Sequence, residues 1–145
     1  MKDEPLDLPS FLPYQLSVTS NRISAHLARI YADRFDLTIP EWRIMAIIGR
    51  FPELSANEVA ARSAMDKVQV SRAVANLIRK SLLDRKTATD DRRRSALSLC
   101  EAGVEIYWQI VPEAQRYERE LLATLTPEER TVLSSALNRL ADQFG

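Results

Sequence analysis

The side chains best suited to chemistry lie along one amphipathic segment, residues 67–81. One side repeats apolar residues at helical spacing, which predicts a buried face: Val70, Val74, Leu77 and Ile78. The other side carries basic, amide and hydroxyl residues beside one valine: Lys67, Val68, Gln69, Ser71, Arg72, Asn76 and Arg79. In a DNA major groove, arginine bonds guanine, an amide bonds adenine and valine touches the thymine methyl group. We expect base contacts near the start of the segment (Val68, Gln69, Arg72) and phosphate contacts from Ser71 and Arg79, unless this is an ordinary solvated helix face.

A second group of cations follows in a polar turn, where Arg92, Arg93 and Arg94 stand together. Alternating residues at 96–99 predict a strand, and Leu82-Leu83 leads into the turn, so a short β-hairpin is expected. Arginines at such a tip can enter a narrow minor groove. Residues 67–94 carry nine positive and three negative side chains although the whole chain has zero net charge. This distribution favours one face that meets phosphate.

The composition excludes several classes of protein. A chain of 145 residues with 46% hydrophobic residues is long enough for one domain. One cysteine and one histidine do not build a metal site, and we find no glycine-rich phosphate loop or nucleophile elbow, so neither an enzyme nor a cofactor is expected. The longest apolar run, residues 44–48, is far below the roughly 20 residues of a membrane span. With no signal-like start, we expect a cytoplasmic protein with no membrane partner.

Four capping patterns divide the chain into helices: Thr38–Glu41, Ser55–Glu58, Asp66–Gln69 and Thr126–Glu129. Together with the apolar periodicity, they predict helices at about 13–35, 39–51, 56–62, 67–81, 101–122 and 127–143. The helices at 56–62 and 67–81 flank a short turn, which is the spacing of a helix-turn-helix. The predicted fold is mainly α with a small β-wing (α+β): a winged helix-turn-helix domain between flanking helices.

Over about residues 10–144 the sequence resembles the MarR-type winged-helix transcriptional regulators. The most specific match is Asp91-Arg92-Arg93 followed by Leu97-Ser98-Leu99, which looks like the wing signature of that family. Val70-Ser71-Arg72 and Leu82-Leu83 match its recognition helix and the step into its wing. The resemblance implies that Arg93 is the wing arginine and that Asp91 orders the wing by ion pairing. Cys100 departs from the family pattern, which has a threonine helix cap there.

The resemblance also implies a symmetric homodimer, built from the helices at both ends of the chain. Apolar stripes on these flanking helices exceed what a small winged-helix core can cover, which supports the same expectation. The predicted organisation is a flexible tail at 1–9, a dimerisation region at 10–37 and 101–145, and a DNA-binding lobe at 38–100. A two-fold dimer on double-stranded DNA places its recognition helices about one DNA turn apart, which predicts a pseudo-palindromic operator.

The resemblance further implies a repressor that a small anionic or aromatic molecule releases from DNA, such as a phenol, a carboxylate or a thioester. The candidate ligand residues are Ser17, Asn21, Ser24, His26, Trp42 and Arg43. Arg43 can neutralise a carboxylate and Trp42 can stack on a ring. The alternative is that Trp42 and His26 are core or interface residues and that Arg43 pairs with a protein carboxylate.

Two other functions stay open at the level of sequence. Cys100 can act as a redox sensor if its thiol is exposed and acidic, although a packed small side chain is the simpler interpretation. A winged helix can also bind an acidic protein through its basic segment. The residues with base-reading chemistry, Gln69, Arg72 and Asn76, favour DNA over that second alternative.

Overall fold

The computed structural model describes residues 3–87 and 95–145. Seven α-helices lie in these ranges: α1 Leu12–Leu27, α2 Ala32–Phe35, α3 Ile39–Arg50, α4 Ala56–Ser63, α5 Lys67–Arg79, α6 Glu101–Leu122 and α7 Pro127–Ala141. Two strands, β1 Leu83–Thr87 and β2 Ser95–Leu99, form an antiparallel pair. The predicted class, mainly α with a small β-wing, is confirmed. The chain divides into two compact units, residues 1–110 and 111–145.

The helix starts follow from side-chain caps. Thr38, Ser55 and Thr126 each accept a hydrogen bond from the backbone N–H three residues later, and a glutamate at that position bonds back. At the start of α5, Asp66 accepts from the Gln69 N–H at 2.8 Å. These bonds satisfy backbone donors that a helix leaves without partners at its first turn, so the predicted starts of α3, α4, α5 and α7 are confirmed.

The first predicted helix is wrong in its length. The sequence pattern predicts one helix over about 13–35, but α1 ends at Leu27 and a 3-10 turn separates it from α2. Tyr31 breaks the helical backbone with a φ of −122°, and its side chain is buried. Its ring lies 5.7 Å from that of Trp42, measured between centroids. Burying this large ring against α3 outweighs the local preference for a continuous helix.

The core of residues 1–110 lies between α3, α5 and the hairpin. On α5 the buried side chains are Val70, Ala73, Val74 and Leu77. They meet the buried face of α3, which includes Ile44, Met45 and Ile48. The prediction that Ile78 packs inward is wrong because its side chain is 37% exposed. At about 100° per residue, Ile78 lies roughly a quarter turn from the centre of the buried arc, and Ala73 takes the inward position.

The hairpin is joined to this core along β2 and at its base. β1 and β2 pair in register from Leu83 with Leu99 to Thr87 with Ser95. A further antiparallel bridge joins Leu97 to Leu54, whose carbonyl accepts the Leu97 N–H at 2.8 Å. At the start of α6, a Cβ on Gly103 would lie 2.2 Å from the Leu82 carbonyl oxygen. Only glycine permits this close approach of α6 to the segment that enters the wing.

Residues 111–145 contain the last part of α6 and the whole of α7. Inside this unit, the Arg130 guanidinium donates to the Leu122 carbonyl at 2.9 Å and joins the two helices. α7 has no buried residue. Its apolar side chains are largely exposed, with Val132 at 66% and Leu137 at 43%. This helix therefore presents an exposed apolar surface.

Candidate nucleic-acid interface

Helices α4 and α5 form the predicted helix-turn-helix. Val59 of α4 and Val70 and Val74 of α5 are buried, so each helix turns its apolar side toward the core. Ala64 ends α4 with a φ of 56°, in the left-handed region, and the Ser63 hydroxyl accepts the Met65 N–H at 3.2 Å. The sharp turn therefore depends on a non-glycine residue in a conformation that favours glycine.

The outer face of α5 is available to a partner. Val68 is 61% exposed, and Lys67, Gln69, Ser71, Arg72 and Arg79 are also exposed. At about 100° per residue, Val68, Arg72 and Arg79 lie together, opposite the centre of the buried arc. The structure thus brings a valine and two guanidiniums onto the side of α5 that faces away from the protein. This is the residue set that the sequence assigned to DNA recognition.

Asn76 differs from the other predicted contact residues because its amide is already engaged inside the protein. It is half-buried, and its Nδ2 donates to Glu41 Oε2 at 3.4 Å. Its Oδ1 accepts a hydrogen bond from the Arg79 guanidinium at 2.8 Å. These two bonds fix the amide beside Glu41 and leave one N–H and one lone pair of Oδ1 for a base.

One flank of α5 closes a cationic cleft with α4 and β1. The cleft has a volume of about 240 Å³. Its polar lining comes from three elements: Asn57 of α4, Lys67 and Ser71 of α5, and Arg85 of β1. None of the described residues that line it is acidic. Two cations, a hydroxyl and an amide around one cleft have the chemistry that binds a phosphate oxygen.

The wing tip lies outside the described residues. Asp91, Arg92, Arg93 and Arg94 all fall between the end of β1 and the start of β2. The described strands confirm the predicted hairpin on either side of these residues. Because β1 also carries Arg85 into the cleft beside α5, the base of the wing and the recognition helix belong to one surface.

A second cavity, of about 290 Å³, lies among α1, α3 and α4. It brings together three of the predicted ligand residues, Ser24, Trp42 and Arg43. The Arg43 guanidinium donates to the Ser24 hydroxyl at 3.0 Å. The other three predicted ligand residues do not line it: Ser17, Asn21 and His26 are exposed on α1, and Arg29 Nη1 lies 3.1 Å from His26 Nε2.

Among the lining residues of this cavity that were not predicted from the sequence, two bear on ligand chemistry. Tyr31 lines it, and burial raises the pKa of its phenol to about 12, with the Arg43 charge acting in the opposite direction. The phenol is therefore a neutral hydrogen-bond donor at physiological pH. Arg62, in the last turn of α4, also lines the cavity, while its guanidinium lies 4.3 Å from the Phe51 ring centroid. No periodic signal identifies these residues, because the cavity joins segments far apart in the sequence.

Comparison with known proteins decides the family. A sequence model of the MarR family matches residues 35–94, which contain α3, α4, α5 and β1. A putative transcriptional regulatory protein for the hcr operon of Thauera aromatica is 30% identical over 100 residues, which are 69% of this chain and 60% of that protein. The chain belongs to the MarR family. Members of the MarR family are transcriptional regulators, which are not enzymes, and the protein has their DNA-binding winged helix.

Solved structures of MarR-family proteins share the whole architecture. A MarR/EmrR family transcriptional regulator from Acinetobacter sp. ADP1 superposes with a TM-score of 0.88 at 24% identity, covering 96% of this chain and 98% of that one. The PcaV transcriptional regulator from Streptomyces coelicolor, solved in complex with its natural ligand, gives a TM-score of 0.80 at 22% identity. That match covers 99% of this chain and 100% of PcaV. At these identities the likeness establishes the fold.

Cys100 lies at the junction between the wing and α6 of this MarR-family chain. The residue is half-buried, and its backbone N–H donates to the Leu82 carbonyl at 2.9 Å.

Among residues 3–87 and 95–145, no group of three or more metal-ligating side chains comes together. In the same ranges, no helix is both long and apolar enough to cross a membrane.

Proposed function

We propose that this MarR-family regulator is a sequence-specific, homodimeric repressor that a small anionic ligand releases from DNA. The single observation that carries the DNA-binding part is the exposed face of α5, which lies directly beside a cationic cleft. A major groove admits a helix whose exposed side chains reach base edges, and the flanking cations then bind the backbone phosphates.

The proposed contacts divide by chemistry. Base contacts come from Val68, Gln69 and Arg72, near the start of α5, as in other helix-turn-helix proteins. Phosphate contacts come from Lys67, Ser71 and Arg79, to which the cleft adds Asn57 and Arg85. Arg92, Arg93 and Arg94 of the wing enter the minor groove, with Asp91 as the acidic partner that orders them. Asn76 is kept as a predicted DNA contact through the N–H and the lone pair that its bonds to Glu41 and Arg79 leave over.

The homodimer is proposed because both ends of the chain leave apolar side chains uncovered. In the first unit, Leu12 and Leu16 of α1 are 46% and 40% exposed. In the second unit, Val132 of α7 is 66% exposed and Phe144 is 88% exposed. Apolar surface of this extent is typical of an interaction site. A two-fold dimer gives a DNA site with half-sites about 34–36 Å apart.

The ligand is proposed to occupy the cavity among α1, α3 and α4. Arg43 and Arg62 supply positive charge, Trp42 and Tyr31 supply aromatic surface, and the neutral phenol of Tyr31 supplies a donor. An aromatic carboxylate satisfies all three kinds of group. The natural ligand solved in PcaV supports a ligand-responsive fold. Because Arg62 and Ser63 end α4, a ligand here contacts the first helix of the helix-turn-helix directly.

The test is fluorescence anisotropy of the purified protein on its own upstream intergenic DNA and on a scrambled duplex, across a salt series. We expect nanomolar binding to the first duplex, a preference of about 100-fold or more, and a steep salt slope. Weak and equal binding to both duplexes contradicts a specific regulator of that DNA. Selection from random duplexes then separates an operator elsewhere in the genome from a winged helix that binds a protein.

The ligand is tested on the same complex with benzoate, the hydroxybenzoate isomers and phenol. We expect carboxylates to release the DNA and phenol alone to do so poorly, because only the carboxylate pairs with Arg43 and Arg62. The Arg43→Met variant should keep its DNA affinity and lose its response to the carboxylates. Release that is equal in wild type and variant places the ligand elsewhere.

A further inference from the structure

Glu41 is a charged residue in the interior of the protein. Its side chain is 2% exposed, although it stands in the first turn of α3 and belongs to the capping box with Thr38. Removing a carboxylate from water costs several kcal/mol unless its oxygens are well paired. Capping by itself does not account for this burial, since the capping glutamates of α4 and α7, Glu58 and Glu129, are exposed.

The partners of Glu41 come from the end of α5. Lys80, which follows α5 directly, places its Nζ 2.7 Å from Glu41 Oε1. Asn76, one turn earlier, donates to Oε2 at 3.4 Å. The Lys80 ammonium also donates to the backbone carbonyl of Asp36, in the turn before α3. One buried carboxylate and one ammonium thus join the last turn of α5 to the first turn of α3.

Asn76 connects Glu41 to the exposed side of α5. The Asn76 amide donates to Glu41 with one end, and with the other it accepts from the Arg79 guanidinium at 2.8 Å. Arg79 is exposed on the same outer face as Arg72, about two turns further along α5. Two hydrogen bonds through Asn76 therefore connect an exposed arginine to a carboxylate buried on another helix.

The Glu41–Lys80 ion pair lies at the opposite end of α5 from the residues proposed to contact bases. Lys80 holds the C-terminal end of α5, whereas Val68 and Arg72 lie toward its N-terminal end. With a rise of about 1.5 Å per residue, Val68 lies about 18 Å along the axis from Lys80. A tilt of about 10° around the anchored end moves Val68 by about 3 Å, which is the length of a hydrogen bond.

We propose that Glu41 and Lys80 are positioning residues for the recognition helix α5 and set its discrimination between DNA sequences. This inference rests on the proposed function, because it assigns a role within the same DNA-binding surface. A buried ion pair is often replaceable by apolar residues of similar volume without loss of stability. Two methionines in place of Glu41 and Lys80 would fill a similar volume but would not hydrogen-bond Asn76. What the ion pair adds is therefore the orientation of α5.

The test compares wild type with the double variant Glu41→Met/Lys80→Met, which leaves the net charge unchanged. We expect it to fold with an unfolding midpoint near that of wild type, to bind scrambled DNA as wild type does, and to lose about tenfold or more of its preference for the selected duplex. The control is Glu113→Met/Arg116→Met, which removes an ion pair of α6 between a half-buried glutamate and an exposed arginine, whose charged atoms are 3.8 Å apart. The control should keep the full preference.

Two further measurements separate positioning from folding and from failure of the proposed function. Lys80→Arg keeps the positive charge and should retain most of the wild-type preference for the selected duplex. Lys80→Met alone should lower the unfolding midpoint, because it leaves the buried Glu41 carboxylate without a cation. Hydrogen–deuterium exchange without DNA should show faster exchange at the end of α5 in the double variant. A double variant that folds and keeps its preference, or unchanged exchange, overturns the inference. A wild-type protein that fails to discriminate between duplexes refutes the proposed function instead, and the exchange data still decide whether the pair holds α5.

Discussion

Substitution of Arg85 by alanine tests the cationic cleft most directly. Arg85 lies on β1, where it pairs in register with Leu97, and its side chain reaches the cleft beside Lys67 and Ser71. The residue is exposed, so removing its side chain leaves the core intact. One guanidinium in one cleft corresponds to one phosphate contact, and this sets the size of the expected effect.

The magnitude follows from counterion release. Each phosphate contact on duplex DNA contributes about 0.9 to the slope of log affinity against log salt concentration. Losing one contact therefore weakens binding by about 15-fold at 50 mM salt and about fourfold at 200 mM salt. At about 0.15 M salt, the loss is about 1 kcal/mol. Because a phosphate carries no sequence information, the same factor applies to the specific and the scrambled duplex.

The assay is anisotropy with both duplexes at several salt concentrations, with Arg119→Ala as the control. Arg119 is an exposed arginine of α6 in the second unit, so its removal changes the net charge equally without touching the cleft. The control should keep the wild-type slope. An Arg85→Ala variant with an unchanged slope, or with a loss confined to the specific duplex, refutes the assignment of the cleft to a phosphate.

Four other predictions concern single residues. Arg72→Ala should cost about 1–3 kcal/mol on the specific duplex and relax the preference at one base pair, and an equal loss on scrambled DNA in the same titration would argue against base reading. Ala64→Gly should raise the free energy of unfolding in urea by about 0.5–1 kcal/mol, because Ala64 has a φ of 56°; a lower value would mean that the turn is unstrained. Gly103→Ala should lower the same quantity by about 1–3 kcal/mol, because the new Cβ would lie 2.2 Å from the Leu82 carbonyl oxygen, and a neutral effect would show that α6 shifts freely. Burial raises the pKa of Tyr31 from 10.0 to about 12, so Tyr31 ionises at a lower pH in the unfolded chain than in the folded protein. Between pH 10 and 12 the free energy of unfolding of wild type should therefore fall relative to that of Tyr31→Phe. If the free energies of unfolding of the two proteins change in parallel over this range, the prediction is refuted.

Local sequence determined the elements of this protein and the order in which they follow one another. Helix starts depend on a cap and a glutamate three residues apart, and the boxes at Thr38, Ser55 and Thr126 form as predicted. The hairpin follows from the alternation around Leu97, and the exposed side of α5 follows from the 3.6-residue period. Each of these signals acts within one element, where neighbours in the sequence are also neighbours in space.

Only the tertiary structure decided which side chains meet across elements. The bond from Asn76 to Glu41 spans 35 residues, and it turns an amide predicted to face DNA toward a buried carboxylate. The cavity that gathers Tyr31 and Arg62 with Arg43 likewise joins distant segments, and burial of Tyr31 ends the first helix early. Such contacts depend on how whole helices pack, and the gain from packing outweighs the local propensities that a sequence pattern reports.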